Sequence, residues 1–184
     1  MKAEFLTKGT LLIAEPSLFE EHIFSRAVLL LSEDNEEGSV GFIINKPSEY
    51  TINDVFPEIN SYFTLFIGGP VETDNLYFIH TVPQLIPNSQ EIENGIYWGG
   101  DFEKVKQMLS TNLLKKNQIR FFLGYTGWAK GQLSGEIKDN SWIINNQNCN
   151  TLNLNTKTLW KSKIEEQGGD YLLFSNAPEN PNFN

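Results

Sequence analysis

The segment 121–137 holds the residues of this chain whose types and spacing could support chemistry. It reads FFLGYTGWAKGQLSGEI, with closely spaced glycines between an apolar run and a short helical pattern. A glycine turn that leads into a helix is a common anion site, because the first backbone N–H groups of a helix lack intrahelical partners. The spacing therefore predicts a site for an anion or a carboxylate at this turn, where Lys130 would add a positive charge.

Ten residues in three glycine- or proline-bearing turns are candidates for ligand binding. They come from the segment above, from the turn after residue 67, and from the position before Lys46-Pro47. The candidates are Asn45, Gly68, Gly69, Gly124, Tyr125, Gly127, Trp128, Lys130, Gly131 and Gln132. An architectural explanation stays open for them. Gly127 would supply a positive φ, Trp128 would belong to the core, and Asn45 would cap a turn.

Other catalytic and metal-binding patterns are absent from the sequence. His22 and His80 are the two histidines and lie far apart, and Cys149 is the single cysteine, so no zinc-ligand spacing occurs. The acidic run 33–38 lacks the twelve-residue calcium loop and is interpreted as a solvated turn. Neither a nucleophile elbow nor a Walker A loop is present. The sequence thus predicts no catalytic residue, no metal site and no cofactor.

Charge and composition limit the partners and the compartment. The 184 residues include 23 acidic and 14 basic side chains, for a formal net charge of −9. This balance opposes non-specific binding to nucleic acid or to an anionic membrane. The N-terminus lacks the pattern of a signal peptide, and no apolar stretch approaches the ~20 residues that span a bilayer. We therefore expect a cytoplasmic protein without a membrane partner.

The elements that would position the candidate residues are short strands and a few helices. Apolar runs predict strands at residues 10–14, 27–31, 40–45, 64–67, 76–80, 119–123 and 142–144, and helical periodicity predicts helices at residues 51–56, 101–113 and 156–166. In the helix at 101–113, the apolar stripe extends from Phe102 to Leu113. Residues 83–93 are predicted to be a loop.

This order of elements predicts the fold class. The strands at 27–31 and 40–45 flank a short acidic loop, which indicates an antiparallel hairpin. Hairpin-like runs of strands that precede a helix are typical of an α+β fold with a mixed, mainly antiparallel sheet. The length fits a single domain, which we place at residues 1–169 with a C-terminal tail at 170–184.

Several motifs occur in an order that is typical of one bacterial family. They begin at Gly9 (GTLLIAEPSL), at Gly38 (GSVGFIINKP), at Gly68 (GGPV) and at Gly124 (GYTGWAKGQLSGEI). On these motifs the chain resembles the AlgH/YqgE family over roughly residues 8–161. The resemblance implies a curved, barrel-like sheet flanked by helices, and some members are described as transcriptional regulators. The family often has a histidine where this chain has Asp34, so a role that needs that imidazole would be lost.

Three functions remain open from the sequence. The first is a non-enzymatic, cytoplasmic binding or regulatory protein that acts through an unidentified protein or small-molecule partner. The alternative is a small enzyme or ligand-binding protein that acts on an anionic metabolite at the Gly-Tyr-Thr-Gly-Trp turn. The third is nucleic-acid binding through a local patch of Lys2, Lys8, Lys104, Lys106, Lys115 and Lys116. We expect no direct sequence-specific DNA binding, because the net charge opposes it.

Overall fold

The structure is a computed structural model that describes residues 6–20, 22–146 and 151–177, and a ten-stranded sheet lies at its centre. The strands are β1 (Leu11–Ala14), β2 (Val28–Asn35), β3 (Gly38–Ile43), β4 (Pro47–Thr51), β5 (Thr64–Ile67), β6 (Val71–His80), β7 (Gln90–Glu93), β8 (Ile96–Trp98), β9 (Ile119–Ala129) and β10 (Trp142–Asn145). The α-helices are α1 (Ile52–Val55), α2 (Phe102–Ser110), α3 (Gln132–Lys138), α4 (Leu159–Glu165) and α5 (Tyr171–Ser175).

The sheet is mixed and mainly antiparallel, which confirms the predicted α+β class. Its main path runs β10-β1-β2-β3-β9-β6-β8-β7, with β5 and β4 attached as a branch. β5 pairs with β9 in parallel, and the other pairings are antiparallel. The barrel-like closure implied by the family resemblance is not found among the described strands. Within the described ranges no ladder joins β7 to β10, and a barrel requires its first and last strands to pair.

The central strand β9 is buried on both faces. Phe121 belongs to a hydrophobic cluster with Val105 of α2, whereas the adjacent Phe122 belongs to a cluster with Trp160 of α4. Consecutive strand residues point to opposite faces, so helices cover both sides of the sheet here. A third cluster joins Leu133 of α3 to the β1–β2 region. The continuous apolar run that predicted this strand is explained by its two buried faces.

Several strands differ from their predicted lengths. β6 begins at Val71 and β9 continues to Ala129, both beyond the predicted bounds. β7 and β8 form a hairpin that the sequence interpretation missed. Its turn is Asn94-Gly95, with φ of 54° and 77°. Positive φ at both central residues is the geometry that favours Asn-Gly in two-residue hairpins. The dipeptide was therefore a usable signal.

Helix α2 begins as predicted and ends early. The Asp101 side chain caps its N-terminus by accepting the backbone N–H of Lys104 at 3.2 Å. The helix ends after Ser110 because Asn112 adopts the left-handed conformation, with φ of 54°, and the Leu113 N–H turns back to the Met108 carbonyl at 2.9 Å, as in a Schellman end. Leu113 is 65% exposed, so its predicted place in the apolar stripe is wrong.

The C-terminal region contains a further helix. α5 lies inside the segment predicted as a tail, and Tyr171 packs against the cluster that contains Trp160. Arg26 Nη2 donates to the Ala177 carbonyl at 2.5 Å, which links this region to the start of β2. The division of the chain at residue 169 stays a prediction.

Candidate functional site

The Gly-Tyr-Thr-Gly-Trp segment is the second half of a strand, and the predicted turn is wrong. β9 continues through it because β3 pairs with it residue by residue, from Gly41 opposite Thr126 to Gly38 opposite Ala129. Gly127 lies opposite Val40 in this ladder and is not among the glycines with positive φ, so the predicted left-handed conformation at Gly127 is wrong. The unusual backbone is at Gly124, where φ is 67°.

Gly124 lies where another part of the chain crosses β9. β5 and β6 pair with opposite edges of β9, so the Gly68-Gly69-Pro70 connection between them must pass over the strand. A Cβ at Gly68 would overlap the carbonyl oxygen of Gly124, and a Cβ at Gly69 would overlap the backbone of Tyr125. A Cβ at Gly124 would lie 2.6 Å from the Val71 carbonyl oxygen. The contacts therefore give the three glycines an architectural role.

Local hydrogen bonds connect the end of β9 to the start of α3. The backbone N–H of Ala129 donates to Gln132 Oε1 at 3.0 Å. Gly131 has φ of 76°, which redirects the chain into α3, and its carbonyl accepts the N–H of Gly135. Lys130, Gly131 and Gln132 are exposed and line neither of the two cavities described below.

Glu136 connects the buried tryptophans to the first turn of α3. Its Oε2 accepts the indole N–H groups of Trp128 and Trp142, each at 2.8 Å. Its Oε1 accepts Gln132 Nε2 at 2.9 Å. Trp128 is 6% exposed, as predicted, and its ring meets that of Trp142 edge to face at 6.2 Å. The Trp, Gln and Glu positions of the sequence motif thus form one hydrogen-bonded group.

Asn45 has the capping role that the sequence left open. Its Oδ1 accepts the backbone N–H of Val28 at 2.8 Å, and its Nδ2 donates to the Arg26 carbonyl at 2.9 Å. The side chain thereby satisfies backbone groups where β2 begins. Among the described residues these contacts use both ends of the amide.

An open cavity of about 390 Å³ lies between the β2–β3 hairpin and β9, and we call it the hairpin cavity. Its lining comprises Glu33, Asn35, Glu37, Gly38, Ser39, Val40, Val71, Tyr125, Gly127 and Trp128. The structure therefore brings three of the candidate residues to one cavity. Among the described residues the lining has two carboxylates and no basic side chain, so the local charge favours a cationic group over an anion.

Neighbouring contacts hold both walls of the hairpin cavity. Ser39 Oγ donates to Asp34 Oδ1 at 2.5 Å, and Asn35 Nδ2 donates to Glu33 Oε1 at 2.7 Å. The Tyr125 ring packs edge to face on Tyr77 at 5.4 Å. The Tyr77 hydroxyl donates to the Glu72 carboxylate, and burial, followed by this hydrogen bond, raises the pKa of Tyr77.

A second cavity, of about 280 Å³, lies at the other end of β9, and we call it the Arg120 cavity. It is lined by Pro47, Phe63, Thr64, Phe66, Lys116, Ile119, Arg120 and Thr156. Sequence reasoning missed Arg120. The usable signal was an arginine inside an otherwise apolar strand, because charged side chains are seldom fully buried without a partner.

Neither a metal cluster nor a membrane-spanning helix is found in the described ranges. No group of three or more His, Cys, Asp or Glu side chains in residues 6–20, 22–146 and 151–177 is arranged to hold a metal ion. No helix in this part of the chain has both the length and the apolar character needed to cross a membrane. Cys149 lies outside the described residues.

Comparison with known proteins identifies the family of this chain. The family model described as AlgH-like, DUF179, matches residues 11–172. A UPF0301 protein of Chlorobaculum parvum is 40% identical over 98% of this chain and 97% of its own length. A UPF0301 protein of Cytophaga hutchinsonii is 40% identical over 97% of this chain and 100% of its own. The chain therefore belongs to the AlgH-like family, as its motifs predicted.

Two solved structures share the fold. Protein DIP2367 of Corynebacterium diphtheriae aligns with a TM-score of 0.74 at 22% identity, over 96% of this chain and 95% of that one. The solution structure of AlgH from Pseudomonas aeruginosa aligns with a TM-score of 0.72 at 23% identity, over 97% of both chains. At this identity the likeness concerns the fold alone.

Proposed function

We propose that this protein is a non-enzymatic, cytoplasmic binding protein of regulatory type, and that the hairpin cavity is its binding site. The observation that carries the proposal is the composition of that cavity. It combines the aromatic motif residue Tyr125 with the carboxylates Glu33 and Glu37, whereas the Trp128 side chain is held in the core by Glu136 and Trp142. Aromatic and carboxylate side chains around one opening are a typical arrangement in binding sites.

The chemistry of the lining favours a cationic ligand group. Carboxylates attract an ammonium or guanidinium group, and the face of an aromatic ring such as Tyr125 attracts it further. An anionic metabolite at this cavity would instead approach two like charges, Glu33 and Glu37. We therefore propose a cation-bearing small molecule, or a Lys or Arg side chain of a protein partner, in place of the anion predicted for this segment.

A regulatory role would then operate through binding. Direct contact with duplex DNA is disfavoured by the net charge of −9. Occupation of the hairpin cavity would link β2, β3 and β9, since all three contribute to its lining. We propose that a partner senses this region in its occupied or empty form.

A thermal-shift comparison of two probes tests the proposed function. Agmatine, a small dication, should raise the melting temperature in a saturable manner, and citrate at equal ionic strength should not, because a ligand stabilises the state that binds it. The double variant Glu33→Gln, Glu37→Gln should lose the agmatine effect. Glu49→Gln is the matched control, because Glu49 is exposed on β4 and lies outside the hairpin cavity. Stabilisation by citrate alone, or an equal agmatine effect in all variants, would contradict the proposal.

A further inference from the structure

We propose that the Arg120 cavity binds an oxyanion, the phosphate or carboxylate group of a small molecule. The site is distinct from the hairpin cavity and has the opposite charge, since Arg120 and Lys116 both line it. None of the described residues that line it is acidic. An arginine and a lysine around one small opening are a common arrangement for recognising phosphate and carboxylate groups.

Arg120 carries a buried charge with only neutral partners among the described residues. The residue is 9% exposed. Its Nη1 donates to the Ile44 carbonyl at 2.9 Å, and its Nη2 donates to the Leu152 carbonyl at 3.2 Å. The guanidinium lies 4.7 Å from the centre of the Phe66 ring. These two hydrogen bonds use two of the five N–H donors of the guanidinium, which leaves donors for a ligand.

The missing counter-charge is the main argument for a ligand. Buried charged groups are normally paired, because the transfer of an unpaired charge from water is costly. Burial lowers the pKa of Arg120 to about 10, and the group therefore remains protonated at neutral pH. An oxyanion at the cavity would supply the opposite charge that the described residues of the protein do not provide there.

The rest of the lining suits a small oxyanion. The Thr64 and Thr156 hydroxyls can donate hydrogen bonds, and Lys116 adds a second positive charge from an exposed position. Phe63 and Phe66 supply apolar wall, which lowers the local dielectric and strengthens the charge interactions. The cavity volume of about 280 Å³ fits a small metabolite better than a polymer.

A purely structural role for Arg120 is the alternative that the test must separate. The guanidinium joins the end of β3, the turn at Leu152 and the Phe66 ring of β5, and this bracing needs no ligand. These contacts do not involve Lys116. A change at Lys116 should therefore weaken anion binding and leave the bracing intact.

The experiment is an NMR titration of the full chain, labelled with ¹⁵N, with inorganic phosphate and separately with acetate, at constant ionic strength set with sodium chloride. We expect saturable shifts of the amide signals of Thr64, Lys116, Arg120 and Thr156. Lys116→Gln should weaken binding about twofold to fivefold, because Lys116 is exposed and its charge contact is partly screened by solvent. Lys104→Gln, an exposed change on α2 outside the cavity, should leave the affinity unchanged.

The two probes distinguish the sources of the oxyanion. Tighter binding of phosphate indicates a phosphorylated metabolite, and tighter binding of acetate indicates a carboxylate. Arg120→Lys, checked for folding by its amide spectrum, should also weaken binding, because lysine lacks the planar donor pair. Linear shifts without saturation for both probes, shifts centred elsewhere, or equal affinities in Lys116→Gln and Lys104→Gln would each overturn the proposal.

Discussion

At the scale of single residues, Glu136 explains most of the family motif after Gly127. One carboxylate accepts hydrogen bonds from Trp128, Trp142 and Gln132, and so fixes two indoles at the junction of β9, α3 and β10. An indole N–H is only a donor and needs an acceptor when it is buried. The motif therefore combines the large side chain of Trp128 with the acceptor that Trp128 shares with Trp142.

Replacement of Glu136 should expose this dependence. Glu136→Ala leaves the indole N–H groups of Trp128 and Trp142 without their acceptor, and the cost is about 1–3 kcal/mol for each buried donor left unsatisfied. We expect the free energy of unfolding in urea to fall by about 2–4 kcal/mol. Glu103→Ala is the control, because Glu103 makes an exposed pair with Lys106 that contributes less than about 1 kcal/mol. Equal losses in the two variants would refute the assigned role.

His80 gives the protein a predictable pH dependence. The side chain is fully buried, and burial lowers the pKa of His80 below its ordinary value. Its Nδ1 accepts the backbone N–H of Val82 at 3.3 Å, so the neutral ring carries its proton on Nε2, which faces the Gly99 carbonyl at 3.2 Å. Protonation of Nδ1 would break the first of these contacts.

The sign of the effect follows from the lowered pKa. The unfolded chain binds a proton at His80 more readily than the folded chain, so stability is complete above the unfolded pKa and declines as the pH falls below it. We expect the urea midpoint to decrease from pH 7 to pH 5, and the decrease to be smaller in His80→Gln. His22→Gln is the control because His22, the other histidine, is exposed. An unchanged pH dependence in His80→Gln would contradict this account.

At the scale of elements, the crossing of β9 by the β5–β6 connection organises the sheet. Sequentially neighbouring strands usually pair with one another, whereas here β9 lies between β5 and β6. The connection is short and approaches the strand closely, so Gly68, Gly69 and Gly124 have no room for side chains. Glycine is the residue that permits such an approach.

A pair of alanine substitutions tests the crossing. Gly68→Ala should destabilise the fold by more than about 2 kcal/mol, because its Cβ would overlap backbone atoms of β9 that cannot move independently. Gly135→Ala should stabilise it by about 0.5–1 kcal/mol, because Gly135 lies in α3 and a Cβ there would point into open space, so that the change mainly restricts the unfolded chain. Urea unfolding measures both. A neutral Gly68→Ala would show that the crossing tolerates a side chain.

At the scale of the whole molecule, charge decides which partners are plausible. The net charge of −9 is distributed unevenly, with carboxylates at the hairpin cavity and cations at the Arg120 cavity. The molecule thus presents two cavities of opposite charge along β9. The two cavities share no lining residue, so each can be tested separately.

The isolated protein should not bind duplex DNA specifically. Binding requires clustered cations that release counterions from the phosphates, and the predominantly acidic chain opposes this. We expect no shifted band in a gel assay with purified protein at an ionic strength of about 0.15 M. A nanomolar, salt-sensitive complex would contradict this expectation. It would instead support nucleic-acid binding through a patch that includes Lys104, Lys115 and Lys116.

The sequence by itself determined the elements that depend on local patterns. The apolar runs located β1, β2, β3 and β10, and the capping residue Asp101 located the start of α2, because burial of one face and satisfaction of terminal N–H groups are local requirements. The order of these elements predicted the α+β class, and the motifs identified the family. The apolar periodicity alone did not show that Leu113 is exposed, because α2 ends in a left-handed turn at Asn112 and Leu113 no longer follows the helical stripe.

Only the tertiary structure decided what the glycines and Arg120 do. In sequence the glycines after Leu123 resemble a turn, and β3 and β6 make them a strand by pairing with them from distant parts of the chain. The proximity of Gly68 to Gly124 and of Arg120 to Lys116 likewise arises from long-range packing. Spacing along the chain carries no information about such contacts, because they depend on which strands become neighbours in the sheet.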